Sequence, residues 1–163
     1  MGCAPEEIIF TGSATEANNL VFFGLLESMI KENKNVHIIT TKIEHKAILE
    51  PCKKLEKSGV EITYLSVDES GKILVSDLAK SIKDNTVLVS IMYANNELGT
   101  VQPIAEIGEF LKNVNRIKEK SGLQKIYFHT DAVQAANWLP CQVGKLGVDL
   151  LTLSAHKIYG PKG

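Results

Sequence analysis

The chain has 163 residues, 44% of them hydrophobic and 23% charged, with a formal net charge of -1. That is one domain, or a piece of a larger one, with enough apolar material for a core. The balanced charge gives no global field for nucleic acid or an acidic membrane surface, and no apolar run reaches the roughly 18 residues of a transmembrane helix.

The first predicted element is a short strand, "EIIF" (7–10). A helix over "ATEANNLVFFGLLESMI" (14–30) follows, with Ala17, Leu20, Val21, Gly24 and Leu25 at helical spacing. "NVHIITT" (35–41) predicts a strand. "KAILEPCKKLEKSG" (46–59) predicts a helix with Ile48, Cys52 and Leu55 on one face and Gly59 as its C-cap. Pro51 inside it predicts a kink or a later start. "VEITYLS" (60–66) alternates like a strand, "DESGK" (68–72) is a turn, and "SDLAKSI" (76–82) is a helix begun by an N-cap Ser76. "TVLVSIMY" (86–93) is apolar almost throughout, as a strand covered on both faces is. "PIAEIGEFLKNVNRIKEKSG" (103–122) opens with Pro103 at N1 and turns Ile104, Ile107, Leu111 and Val114 inward. "KIYFHTDA" (125–132) and "VDLLTLS" (148–154) predict two further buried strands.

Strands alternating with helices predict an α/β fold, a three-layer α/β/α arrangement around a mostly parallel sheet. In such sheets ligands bind beyond the carboxyl ends of the strands. Polar groups stand there: "TGSATEA", "KIEHK", "ANNELG", "TDAVQ" and "SAHK" each follow a predicted strand.

In "FTGSATEA", small residues lead into a helix start, a place for a phosphate; a plain N-cap by Ser13 or Thr15 explains the same residues. Asp131 ends a buried strand, where a carboxylate needs a partner. A cation such as a protonated pyridine nitrogen would serve, and so would nearby backbone N–H groups. Lys157, beside Ser154 and His156, can condense with an aldehyde, although most lysines are solvated surface groups. His45 is a ring-stacking partner, a proton carrier or a structural histidine; Asn95 and Asn96 are turn residues or ligand contacts.

His37, His45, His129 and His156 make no metal-ligand spacing, and there is neither GxGxxG nor GxxxxGK[ST] for a dinucleotide or nucleoside triphosphate. Cys3, Cys52 and Cys141 are widely spaced and odd in number, which fits a reducing, cytoplasmic setting. "MGCAPEEIIF" lacks the order of a secretory signal, and Glu6 stands where a myristoylation site wants Ser or Thr.

Together, "FTGSATEANN", "TTKIEHKAILEPCKKLE", "VLVSIMYANNELGTVQPIAEIG", "YFHTDAVQA" and "VDLLTLSAHKIYGPKG" resemble the cysteine desulfurases of the class V aminotransferase group, fold type I enzymes dependent on pyridoxal 5'-phosphate. The resemblance implies that Lys157 holds the cofactor as a Schiff base and that Asp131 pairs with its pyridine nitrogen. It implies hydrogen bonds from Gln134 and Asn96 near the phenolic oxygen, a stacked and proton-moving His45, and a phosphate cradle of Ala14, Thr15, Ser154 and His156. The loop reads "GSAT" where the family often has "SGAT", which keeps Thr15 but leaves Ser13 without an assigned role; Ala155 stands where glycine is frequent.

The implied activity is removal of sulfur from L-cysteine, leaving L-alanine and an enzyme persulfide for iron–sulfur cluster and thio-cofactor synthesis. The implied partners are a sulfur-acceptor or scaffold protein and a second subunit in a homodimer. The resemblance covers the central part of the large domain, so 1–163 is expected to be that domain cut at both ends, without the C-terminal small domain and inactive alone. The family's persulfide cysteine lies well after the lysine, so neither Cys52 nor Cys141 is given that role; Arg116, on a charged helix, is expected to face solvent. Another class V enzyme (a selenocysteine lyase or an aminotransferase) and a non-catalytic domain that keeps the fold are the alternative readings.

Overall fold

The computed structural model describes residues 1–31 and 35–161; Lys162 and Gly163 of the final "YGPKG" lie outside the described residues. Five strands form one sheet: β1 (His37–Thr41), β2 (Glu61–Leu65), β3 (Thr86–Ser90), β4 (Tyr127–Asp131) and β5 (Leu150–Thr152). They lie in the order β2-β1-β3-β4-β5, and every neighbouring pair is parallel. The chain runs from β1 out to β2, then returns across β1 to place β3 on its other side. That reversal opens a crevice between the carboxyl ends of β1 and β3.

The helices are α1 (Ala14–Asn19), α2 (Leu25–Lys31), α3 (Lys46–Lys57), α4 (Val75–Ser81), α5 (Ile104–Lys120) and α6 (Val143–Leu146). A π-helical turn, Leu20–Gly24, joins α1 to α2, so the predicted helix 14–30 is one rod with a wider turn inside it. Two apolar cores flank the sheet. One gathers Phe22, Leu26, Ile48, Cys52 and Leu55 with Ile38 and Leu88; the other gathers Leu78, Ile104, Ile107 and Leu111 with Ile39, Val89 and Phe128. Adjacent residues Ile38 and Ile39 thus serve opposite layers, as the two-residue period of a strand requires. This is the three-layer α/β/α fold that the alternating pattern predicts.

Local chemistry explains the boundaries. His45 caps α3, its Nδ1 accepting from Ala47 N at 3.1 Å. Gly59, at φ +88°, closes the helix: its N–H donates to Glu56 O and Val60 N–H donates to Leu55 O. Pro51 sits inside α3 without moving its start, and leaves the Ala47 carbonyl without its usual donor. At α4 the cap residue is Leu74, so Ser76 lies in the first turn instead of before it; Pro103 occupies the N-cap of α5, one position ahead of N1. Gly108 on α5 lets the backbone of α6 come close, since a Cβ there would lie 2.2 Å from the Leu146 carbonyl oxygen.

The predicted strand 7–10 does not form. Pro5–Glu7 make a 3-10 turn, and Ile9 and Phe10 are 71% and 94% exposed. The run has the β-branched and aromatic residues that favour strands. A strand also needs a neighbour for its backbone groups, and among the described residues this run has none.

Two buried histidines stitch the sheet across strands. His37 Nδ1 lies 2.8 Å from Thr86 Oγ1 on β3 and its Nε2 2.9 Å from Thr63 Oγ1 on β2. His129 does the same from β4, with Nδ1 2.9 Å from Ser90 Oγ and Nε2 3.0 Å from Thr152 Oγ1. The edge of Phe22 packs against the His129 ring. Burial lowers both imidazoles, His129 from 6.5 to about 3, so both are neutral in the folded protein. The unfolded chain takes up a proton on His129 below pH 6.5 while the fold does not, so this histidine costs stability as pH falls toward 3. Urea midpoints of wild type and His129→Gln at several pH values should show the wild-type advantage shrinking from pH 6.5 downward, by several kcal/mol at full extent; a pH-independent difference would contradict a buried neutral imidazole.

Candidate active site

The site is built where four strands end and α1 begins. Ser13 caps α1, its Oγ accepting from Glu16 N at 3.2 Å, while the Glu16 carboxylate accepts from Gly12 N at 2.7 Å. Of the two capping candidates in the sequence, Ser13 is therefore the cap. Thr15 is exposed and its hydroxyl is not used in capping; Ala14 and Thr15 lie in the first turn, whose N–H groups have no carbonyl partner within the helix.

Asp131 ends β4 and is 8% exposed. Its Oδ1 accepts from Val133 N at 3.0 Å and its Oδ2 from Asn18 Nδ2 of α1 at 2.8 Å. Among the described residues it has no cationic partner, and the Asn18 Oδ1 behind it is buried without a hydrogen bond. Two neutral donors are a modest return for burying a charge. The environment fits a cationic group arriving from outside the chain, such as a protonated ring nitrogen.

Beside Asp131 the register pairs it with Thr152, two residues before Ser154. Ser154 Oγ lies 2.9 Å from His156 Nδ1. Residues Ala155–Ile158 form a 3-10 turn closed by Gly160 N donating to Ala155 O at 2.8 Å. A Cβ on Gly160 would crowd that carbonyl at 3.0 Å, so glycine shapes the turn that carries Lys157. Lys157 and His156 are exposed; Gln134, in the turn after β4, is half-buried.

On the other side of the crevice stands His45, exposed, with Nδ1 engaged at the helix start, so its neutral ring carries the proton on Nε2. Of the paired asparagines, Asn95 is structural: its Nδ2 donates to Ile43 O at 2.8 Å and its Oδ1 accepts from Glu97 N and Leu98 N. Asn96 is exposed.

The chain thus brings Asn18, Asp131 and the "SAHK" turn to one rim, with α1 packed against α3 and β5. No hydrogen bond joins Lys157, His45, Thr15 or Asn96 to one another or to Asp131 among the described residues. Cys52 and Cys141 are buried; desolvation pushes the Cys52 thiol up to about 12 and raises Cys141, so neither is a thiolate nucleophile. Arg116 is exposed on α5. Two residues that strand-end reading passed over are Asn18 and Glu44. Each is a polar residue within an apolar or strand-end pattern whose role depends on a partner far along the chain.

The sequence profile of the class V aminotransferases matches residues 1–163. A cysteine desulfurase IscS of Dictyoglomus turgidum is 49% identical over 100% of the chain, which covers 38% of that protein. The mitosomal cysteine desulfurase of Encephalitozoon cuniculi is 49% identical over 100% of the chain and 35% of its own length. A solved structure of SspA in complex with cysteine superposes with a TM-score of 0.89 at 42% identity, covering 99% of this chain and 43% of that one. A NifS-like protein gives 0.89 at 41% identity, covering 99% of this chain and 42% of its own. The chain spans about two fifths of the length of these relatives.

An unpaired buried carboxylate should weaken the cofactor-free fold. Asp131→Asn should raise its stability by about 1 kcal/mol, because a neutral amide costs less hydration to bury than a carboxylate, and a rotated Asn18 amide can still accept from it through Oδ1. Asn18→Ala should lower it by a similar amount. Thermal midpoints of the two variants in cofactor-free protein check both; a destabilising Asp131→Asn would contradict this reading.

Proposed function

Because the chain belongs to the class V aminotransferase family, we propose that the protein is a pyridoxal-phosphate-dependent cysteine desulfurase, with this chain forming the central part of the large, cofactor-binding domain of fold type I. The observation that carries the reading is Asp131, a buried carboxylate with two neutral donors and no cation, at the rim where the other strand ends meet.

In this reading Asp131 keeps a proton on the cofactor's ring nitrogen, and Asn18 keeps Asp131 aimed. Ala14 and Thr15 offer backbone N–H groups and a hydroxyl to the phosphate, joined from across the rim by Ser154 and His156. Gln134, half-buried, and Asn96, exposed, take the phenolic oxygen. Lys157, on its short turn, anchors the cofactor and returns protons to the substrate carbon. His45 moves protons through Nε2, since Nδ1 is held by the Ala47 N–H. When bound, the cofactor supplies an electron sink for the carbanion left at the substrate carbon.

L-cysteine is the substrate; the relatives that support this are named cysteine desulfurases, and one solved neighbour is described in complex with cysteine. The products are L-alanine and a persulfide on a cysteine other than Cys52 and Cys141, whose thiols burial keeps protonated. A sulfur-acceptor or scaffold protein, a homodimer and a cytoplasmic location complete the proposal. No helix among the described residues is long and apolar enough to cross a membrane.

Adding pyridoxal 5'-phosphate to the purified protein should produce the absorbance band at the edge of the visible range that marks lysine-bound cofactor, and Lys157→Ala should abolish it. A band of full height in the variant would overturn the assignment of Lys157.

A further inference from the structure

The crevice between β1 and β3 is sutured by a carboxyl that the proposed chemistry leaves unused. Glu44 follows β1 by three residues and is 5% exposed. Its Oε1 accepts from Thr41 Oγ1 at 2.8 Å, at the last residue of β1, and from Met92 N at 2.9 Å, two residues past β3. A second bond crosses the same gap in the same direction, Asn95 Nδ2 donating to Ile43 O at 2.8 Å. The ends of β1 and β3 are thereby fixed to each other at the place where the strand order reverses. The residue directly after Glu44 is His45, whose own Nδ1 is pinned at the start of α3.

Resting on the desulfurase reading above, we infer that Glu44 is a positioning residue: its carboxyl ties the carboxyl ends of β1 and β3 together and so holds the His45 imidazole in the one place from which Nε2 exchanges a proton with substrate. Glu44 touches neither cofactor nor substrate in this account. It acts through the backbone it fixes and through the charge it withholds.

The withheld charge follows from the surroundings. The ionisable groups that face Glu44 are Asp131 from β4 and Cys52 from α3, whose thiol burial keeps protonated. Its Oε2 is buried with no hydrogen-bond partner among the described residues. Desolvation, with a smaller push from Asp131, raises the carboxyl from 4.5 to about 8, against the pull of the Met92 and Thr41 hydrogen bonds. The folded protein therefore holds a proton on Glu44 that the unfolded chain has lost. Stability from this group is complete below pH 4.5 and falls as pH rises toward 8. A neutral Glu44 puts no charge beside Asp131, and rising pH puts an anion into the suture.

Glu44→Gln keeps an oxygen for Thr41 and Met92 and has nothing to ionise, whereas Glu44→Ala cuts the suture. Measured in the full-length enzyme, Glu44→Gln should keep kcat within about threefold of wild type, move the alkaline limb of the pH profile up and recover the stability lost toward pH 8. In Glu44→Ala, kcat should fall about 100-fold at little-changed KM. The His45 ring 15N spectrum, a single Nε2–H tautomer in wild type and Glu44→Gln, should broaden into a mixture in Glu44→Ala. The cofactor band should persist in both variants, because Lys157 and Asp131 are untouched. Wild-type kcat, pH profile and His45 spectrum in Glu44→Ala would overturn the inference. So would a Glu44→Gln enzyme with an unshifted alkaline limb and an unchanged stability profile, a result that stands even if Glu44→Ala does not fold. A wild-type protein with no cofactor band would instead overturn the functional reading beneath it.

Discussion

The structure is organised around a negative charge that the chain buries and does not neutralise. Asp131 sits at the end of a central strand with one amide and one backbone N–H for company. A carboxylate so placed costs more in lost hydration than those donors return, and replacing it by a neutral group would favour the cofactor-free fold. Its retention makes sense as a receptor for a positive charge brought in by a ligand. Asn18 draws α1 over the end of β4, and that contact also sets where the α1 N-terminus lies relative to the "SAHK" turn.

Around that charge the sheet is kept electrically quiet. His129, two residues earlier on the same strand face, is held neutral between two hydroxyls, and Glu44 across the crevice carries a proton. Their pH dependences oppose each other: acid erodes the histidine's contribution and alkali erodes the glutamate's. Stability in the neutral range is a compromise between two buried groups, both of which spare Asp131 a charged neighbour. The strand order supplies the geometry, since the reversal between β1 and β3 puts Glu44, His45 and Asn95 on one wall, and Asp131 ends the next strand along.

Most of this architecture was legible in the residues. Buried runs such as "TVLVSIMY" declare a parallel sheet because only strands covered on both faces are so uniformly apolar, and Gly59 declares a helix end because its positive φ suits glycine. Asp131 and Lys157 stood out as ionisable groups just past apolar strands. What escaped was whatever depended on distant partners. The "EIIF" run has strand chemistry and no neighbour among the described residues to pair with. Asn18 looks like an ordinary helix residue until its bond to Asp131, 113 positions away, is known. Glu44 looks like one more solvated charge until Met92, 48 positions on, is seen to donate to it. Ser13 and Thr15 are equal capping candidates by residue type, and only the start of the helix at Ala14 puts the Ser13 hydroxyl on the Glu16 N–H.

Whether Asp131 holds a proton on the ring nitrogen of a bound cofactor can be read by nitrogen-15 NMR of the protein loaded with ring-labelled pyridoxal 5'-phosphate. Wild type should show a protonated pyridinium shift and Asp131→Asn a neutral pyridine shift. A neutral nitrogen in the wild-type protein, or a pyridinium that persists without the carboxylate, would contradict that role.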